Sequence, residues 1–365
     1  MIWMIAGVVS AFGAFEAYVA ILFSMPPDAR EPSGSLGRYF SYGYSTESKL
    51  IRSVGSGGQT PTAIIRAGWI PTELYPPGED WADAPRRVIF YGMSFTNRTA
   101  AQLRAIRPDD AILTRAGPAA PFSHSAAMFE ADPWRTQADT VVVGILASSI
   151  PYLRSTSGLG FTPESPAPYA FPMYTLQGDG LVKRDPPISD RDEFVREFRA
   201  RSPRWFQQRD WLRAEDAYWD PFVFSRSMLD RSAIIRLVRR AWASKRIDTE
   251  QDRVYNHKRG YRTDDPALAA VPVMLRSMNE RCSADGQHLI VLLLHTRGEP
   301  GHLRDWLAPE LAAAGITTIS TTDLFSSIDP MNFMPDSHYR SDLDALIAGA
   351  VDQAMSTRQD DTPRP

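Results

Sequence analysis

Two short stretches carry residue types that can perform nucleophilic chemistry together. The first is Gly92-Met93-Ser94-Phe95-Thr96, directly after the apolar run Val88-Ile89-Phe90-Tyr91. The second is Asp336-Ser337-His338, just before the last stretch of helical pattern. A serine hydroxyl is a poor nucleophile until a neighbouring base takes its proton, and an imidazole suits that task. A carboxylate beside the imidazole holds its tautomer and stabilises its charged form. Ser94 as nucleophile, His338 as general base and Asp336 as orienting carboxylate would form an acyl-transfer site. Asp323 and Asp329 are alternative carboxylates for the same role. Taken alone, the first stretch also fits an ordinary strand-to-helix turn, and the second a helix cap beside a surface histidine.

That chemistry requires a scaffold that brings both stretches to one edge. Val88–Tyr91 predicts a buried strand. Gly92 then permits a tight turn, and Asn97 is placed to cap a helix over 98–106. A second strand is expected at Ala111–Thr114, followed by the small-residue turn Arg115–Pro121 and a helix start over His124–Glu130. Asp139–Leu146 is an unbroken apolar run, as in a parallel strand covered on both faces. The pattern resumes with a helix over Pro266–Cys282, a strand at His288–His295, a helix over Leu303–Ala314 stopped by Gly315, a fifth strand at Ile316–Ser320 and a last helix over Ser341–Met355. Five strands alternating with helices predict an α/β fold with an open parallel sheet flanked by helices.

The remaining segments give the domain plan. Residues 1–25 are nearly all apolar, long enough to span a bilayer, and are expected to form a transmembrane anchor. Glu16, their only charge, counts toward the alternative of a buried core helix. Residues 26–84 are rich in Gly, Ser, Pro and Tyr and are expected to be a linker and irregular segment. The α/β domain is expected over 85–355, with a helical insertion at 150–265 that forms a cap, and residues 356–365 as a disordered tail. The insertion's aromatic residues, among them Trp205, Trp211, Trp219, Trp242, Phe206, Phe222 and Phe224, either pack a small helical core or stack on sugar rings. Basic residues follow the apolar segment (Arg30, Arg38, Lys49, Arg52) and none precedes it, which by charge bias puts the domain in the cytoplasm. The catalytic reading prefers an extracytoplasmic domain, and both orientations stay open.

Composition removes several classes of function. The net charge of −3 offers nothing for nucleic acid. Cys282 is the single cysteine, so neither an intrachain disulfide nor a paired-cysteine zinc site can form. The six histidines lack the spacing of a metal-binding helix, and no metal or cofactor is expected.

With Ser94 and the Asp336–His338 pair in view, the chain resembles the SGNH, or GDSL-type, hydrolase superfamily. Gly92-Met93-Ser94 is similar to that family's first block, usually Gly-Asp-Ser, with Met93 in place of the aspartate. Asp336-Ser337-His338 is similar to its last block, with one residue fewer between the two side chains. The resemblance covers roughly residues 85–150 and 266–355. It implies a flavodoxin-like sheet with Ser94 as nucleophile. It also implies an oxyanion hole to which Ala119, in the turn Gly117-Pro118-Ala119-Ala120, contributes a backbone N–H. Ser148 stands where the family's third block has asparagine, so its hydroxyl would replace that amide. His124 and Ser149 are possible substrate-binding residues at the same edge; for His124 the favoured alternative is a partly buried histidine bonded to backbone.

The function expected from these features is a membrane-anchored serine esterase or acyltransferase. The resemblance implies an O-acylated, most readily O-acetylated, glycan or a small ester as substrate. The alternative, prompted by Met93 and the Ser148-Ser149 pair, is a catalytically weakened SGNH-like module that binds a polysaccharide or an assembly partner.

Overall fold

The computed structural model describes residues 1–22, 41–178 and 180–361. Residues 23–40, which include the end of the expected anchor and the start of the expected linker, and the tail residues 362–365 lie outside the described residues.

Five strands form the central sheet: β1 (Arg87–Gly92), β2 (Ala111–Ala116), β3 (Thr140–Leu146), β4 (His288–Leu294) and β5 (Thr317–Ser320). Their order is 2-1-3-4-5 and every neighbouring pair is parallel. This is the doubly wound order of the flavodoxin-like sheet, in which ligands bind beyond the carboxyl ends of the strands. β3 is buried at every position, and β4 at every position after His288. Period-two alternation sends their side chains to two cores. Ile89, Tyr91, Val141, Val143, Leu289 and Val291 face the larger one. Val88, Phe90, Val142, Ile290 and Leu292 face the smaller one. Each such residue moved from water stabilises the fold by about 1.5–3 kcal/mol before entropy is subtracted.

Helices close both faces. With the N-terminal helix as α1 (Ile2–Leu22), the domain's principal helices are α2 (Ser94–Ile106), α3 (Phe122–Ala131), α4 (Ala233–Asp252), α5 (Pro266–Ala284), α6 (His302–Ala313) and α7 (Ser341–Asp361). Leu103 of α2 and Ile347 and Val351 of α7 cover the smaller core. Phe122 and Met128 of α3 and Leu268 and Leu275 of α5 cover the larger one. A buried ion pair ties β2 to the residue that ends α3: Arg115 Nε lies 2.8 Å from Asp132 Oδ2, which also accepts from the Tyr91 hydroxyl at 3.0 Å.

Several elements differ from expectation in detail. The helix after β1 starts at Ser94, and Asn97 is not its cap; the Asn97 N–H donates to the carbonyl of Met93 as an early intrahelical bond. The last helix runs to Asp361, beyond the expected end at Met355. Residues 41–84 are more ordered than a linker: they hold a helix over Thr46–Val54 and short helical turns at Ala63–Arg66 and Ile70–Glu73, and Leu50, Val54, Ile65 and Trp69 enter the larger core. The aromatic residues of the insertion mainly pack that core: Trp205 and Phe224 are buried, and Trp211 and Trp219 lie partly buried against it.

α1 is long and apolar enough to cross a membrane and is largely exposed. It touches the domain at the start of α4. There the Glu16 carboxylate accepts from the Ser232 hydroxyl and from the backbone N–H groups of Ala233 and, at 3.0 Å, Ile234. An acidic group at a helix N-terminus meets unpaired N–H donors and the positive end of the helix dipole.

Candidate active site

The site begins where β1 ends. Gly92 and Gly144 of the adjacent β3 both lack the side chain that Thr96 would strike; a Cβ there would sit 2.2 and 2.0 Å from Thr96 Oγ1. The two glycines let the first turn of α2 settle on the strand ends. Ser94 is thereby the first residue of α2 and exposed, while Met93 and Phe95 on either side are buried in the smaller core. Met93 therefore serves as an apolar peg beneath the turn that carries Ser94. A nucleophile on the first turn of a helix lies where backbone N–H groups and the helix dipole favour developing negative charge.

The second stretch folds into a closed loop. Phe333 pairs with Tyr339, the Met334 N–H donates to the carbonyl of His338 at 2.7 Å, and the Ser337 N–H donates to Met334 at 2.9 Å. Ser337 adopts φ +69°, the left-handed region. This tight turn makes the short Asp-X-His spacing workable. Asp336 Oδ1 accepts the His338 backbone N–H at 3.2 Å, and Asp336 Oδ2 lies 3.1 Å from His338 Nδ1. The Nδ1 contact is short but off the N–H axis, so it acts as a charge contact rather than an aligned hydrogen bond. The backbone N–H of His338 holds the Asp336 carboxyl below its ordinary pKa, with the imidazole adding to the effect.

The two stretches meet. His338 Nε2 lies 2.8 Å from Ser94 Oγ. The imidazole stacks on Phe95, with ring centroids 4.6 Å apart and planes tilted by 30°. Ser94, His338 and Asp336 thus form one chain of contacts. The alternative carboxylates are engaged elsewhere: Asp323 pairs with Arg304 at 2.8 Å, and Asp329 accepts from the Met331 N–H.

Residues that the motif did not reveal hold the loop in place. Arg98, one turn along α2 from Ser94, donates to the Tyr339 carbonyl at 3.1 Å and to Asp344 at 2.7 Å. Tyr339 is fully buried, lies edge-on to Phe95, and its hydroxyl donates to the carbonyl of His295 after β4. His295 is buried too; its backbone N–H donates to Thr321 Oγ1 at 3.0 Å, and its Nε2 lies 3.3 Å from Glu299. Burial pushes the His295 pKa down to about 4 and moves that of Glu299 above its ordinary value. The only signal for these residues in the sequence was their nearness to strand ends.

The other predicted residues divide. Ala119 is exposed in the turn after β2 with φ +54°, and Ser148 is exposed after β3, so both stand at strand ends flanking β1. Ser149 is buried and its hydroxyl donates to the Leu146 carbonyl at 2.8 Å, which removes it from substrate contact. His124 takes the second of its two expected places, buried and bonded to backbone. It is fully buried, its Nε2 bonds the Gly68 carbonyl at 2.7 Å, and burial lowers its pKa to about 4. Its ring fills the space beside Gly117, where a Cβ would come within 2.7 Å of it, so His124 braces the Gly117–Ala120 turn from below. Among the described residues, no three His, Cys, Asp or Glu side chains gather as metal ligands would.

No family model and no curated protein matches the sequence. Among solved structures, the chain is similar to a candidate acylhydrolase from Bacteroides fragilis, with 11% identity, coverage of 78% of this chain and 92% of that one, and a TM-score of 0.37. At that score the likeness adds nothing to the interpretation of the site.

Proposed function

We propose that the protein is a serine esterase or acyltransferase of SGNH type, held at a membrane by α1. The observation that carries this is the 2.8 Å approach of His338 Nε2 to Ser94 Oγ, with Asp336 on the far side of the imidazole. Ser94 Oγ attacks the acyl carbonyl while His338 takes its proton. Asp336 stabilises the imidazolium that forms. The oxyanion is met by the backbone N–H groups of Ser94 and Ala119 and by the Ser148 hydroxyl; one such donor is worth about 2.7–4 kcal/mol in the transition state. Collapse of the intermediate breaks the ester C–O bond, His338 protonates the departing alkoxide, and an acyl-Ser94 ester remains. Water or a sugar hydroxyl, deprotonated by His338, then takes the acyl group. The substrate is an O-acylated glycan, most readily an O-acetylated one.

The test is hydrolysis of 4-nitrophenyl acetate by the full chain in detergent. Ser94→Ala should reduce kcat/KM by about 10³-fold or more. Equal rates for the two proteins would discard the proposal.

One observation favours a second reading, a catalytically weakened binding module: the Asp336 side chain is 62% exposed, so water screens its charge from the imidazole. That reading expects glycan binding that survives Ser94→Ala and no covalent labelling of Ser94 by a fluorophosphonate. Labelling at Ser94 would exclude it.

A further inference from the structure

Beyond the ends of β3 and β4, with Ala147 and Ser148 in its lining, lies a cleft of about 350 Å³. Its wall is aromatic. Tyr255 and Tyr261 face each other across a two-stranded hairpin, with ring centroids 4.8 Å apart, and Trp306 of α6 backs Tyr261 at 5.5 Å. Tyr152 completes the wall, its hydroxyl accepting from Gln251 at 2.9 Å. The Tyr261 hydroxyl donates to the Ala147 carbonyl at 3.0 Å, which fixes the hairpin to the residue preceding Ser148. Aromatic faces backed in this way are rigid and offer area at little entropic loss.

The rim is basic although the whole chain carries a net charge of −3. Arg297 and His257 line the cleft and are exposed. The hairpin's turn adds Lys258 and Arg259, also exposed. Lys258, Arg259 and Arg297 form no ion pair among the described residues, unlike most arginines of this protein. The acidic group in the cleft, Glu299, is turned inward: its carboxylate accepts the N–H groups of Gly301 and Leu303 at the start of α6. An aromatic wall with unpaired cations at its mouth suits a ring with an apolar face and a carboxylate on its edge.

We propose that this cleft is a sugar subsite for an acidic ring, a hexuronate of the acylated glycan. It deepens the function proposed above and rests on it for the identity of the neighbouring ester. Tyr255, backed by Tyr261, takes the ring face, and Arg297 pairs with the carboxylate. Lys258 and Arg259 attract the polyanion at longer range. Ser148, shared by the cleft and the strand edge, marks the direction of the acyl group.

The test uses the full-length Ser94→Ala chain in detergent, so that no substrate turns over. Isothermal titration measures binding of hexuronate oligosaccharides of galacturonate, glucuronate and mannuronate–guluronate type. A glucose oligomer of equal length is the uncharged control, and a single-stranded oligonucleotide is the competing polyanion. At least one uronate should bind, the glucose oligomer at least tenfold more weakly. A second substitution of Arg297→Ala, which removes the partner of the carboxylate, or of Tyr255→Ala, which removes the stacking face, should each weaken uronate binding about tenfold. Lys258→Ala with Arg259→Ala should flatten the salt dependence. The proposal is overturned if no uronate binds, if the glucose oligomer binds equally well, if Arg297→Ala leaves affinity unchanged, or if the oligonucleotide binds more tightly. Fluorophosphonate labelling of the unmodified chain reports separately on the catalytic proposal. Uronate binding without labelling would leave the subsite standing and remove the esterase; labelling without uronate binding would do the reverse.

Discussion

Ser94 Oγ and His338 Nε2 lie 2.8 Å apart, although β2 to β5 and the whole insertion separate them in the chain. Each is delivered by a different device. Ser94 rides on the first turn of α2, and His338 on a closed loop before α7. The distance therefore depends on what locks the loop to the helix.

The loop's turn is the first point of weakness. Ser337 sits at φ +69°, where a side chain is strained and glycine is not. Ser337→Gly should keep the fold and the activity. Ser337→Val should destabilise the protein by about 1–2 kcal/mol and lower kcat more than it raises KM, because the Asp336–His338 contact is displaced. Urea unfolding and steady-state kinetics on both variants check this.

Arg98 is the latch. It holds the Tyr339 carbonyl and the buried Asp344 together. Arg98→Ala leaves Asp344 without its cation, and because Arg98 is partly solvated the loss should be about 2–3 kcal/mol, below the full range for breaking a buried pair. The latch touches no reacting atom, so kcat for a small ester should fall while the pH dependence keeps its shape. A pH–rate profile with a displaced limb would contradict the positioning role.

His124 makes stability sensitive to acid. Its folded pKa is depressed from 6.5 to about 4. Between those values the unfolded chain binds more protons than the folded one, so stability rises with pH across the window and is lost as pH falls through it. The full effect is about 3 kcal/mol. Urea midpoints at pH 7 and pH 4.5 should differ by at least this contribution, to which the buried His295 adds in the same sense, and His124→Phe should reduce the difference. An unchanged difference would show that this histidine is not the acid-sensitive group.

The ion pair between Arg115 and Asp132 is wholly buried, with the Tyr91 hydroxyl as a third partner. Asp132→Ala should cost about 3–5 kcal/mol, because it strands a buried guanidinium. Thermal denaturation measures it.

Much of the scaffold was legible because parallel strands covered on both faces read as unbroken apolar runs. Val141–Leu146 and Leu289–Leu294 announce themselves in this way. The helix start at Ser94 was not legible, since Asn97 has the better capping side chain and only Gly92 and Gly144 packing on Thr96 decides the matter. Ser94, Asp336 and His338 could be paired from residue type and order. His124 could be read as a buried histidine bonded to backbone, and it is one; the role of Ser149 could not be read, because burial decides it and its hydroxyl turns to a backbone carbonyl instead of to solvent. Arg98 and Tyr339 were invisible for a related reason. Their contacts join elements far apart in the chain, and nothing in the local pattern marks an arginine that clamps a distant loop.

The most direct measurement is mass spectrometry of the intact chain after treatment with a fluorophosphonate. A single adduct mapped to Ser94, abolished by Ser94→Ala and strongly slowed by His338→Ala, is the predicted result. An unlabelled protein, or labelling at Ser94 that proceeds equally fast without the His338 imidazole, would contradict the account.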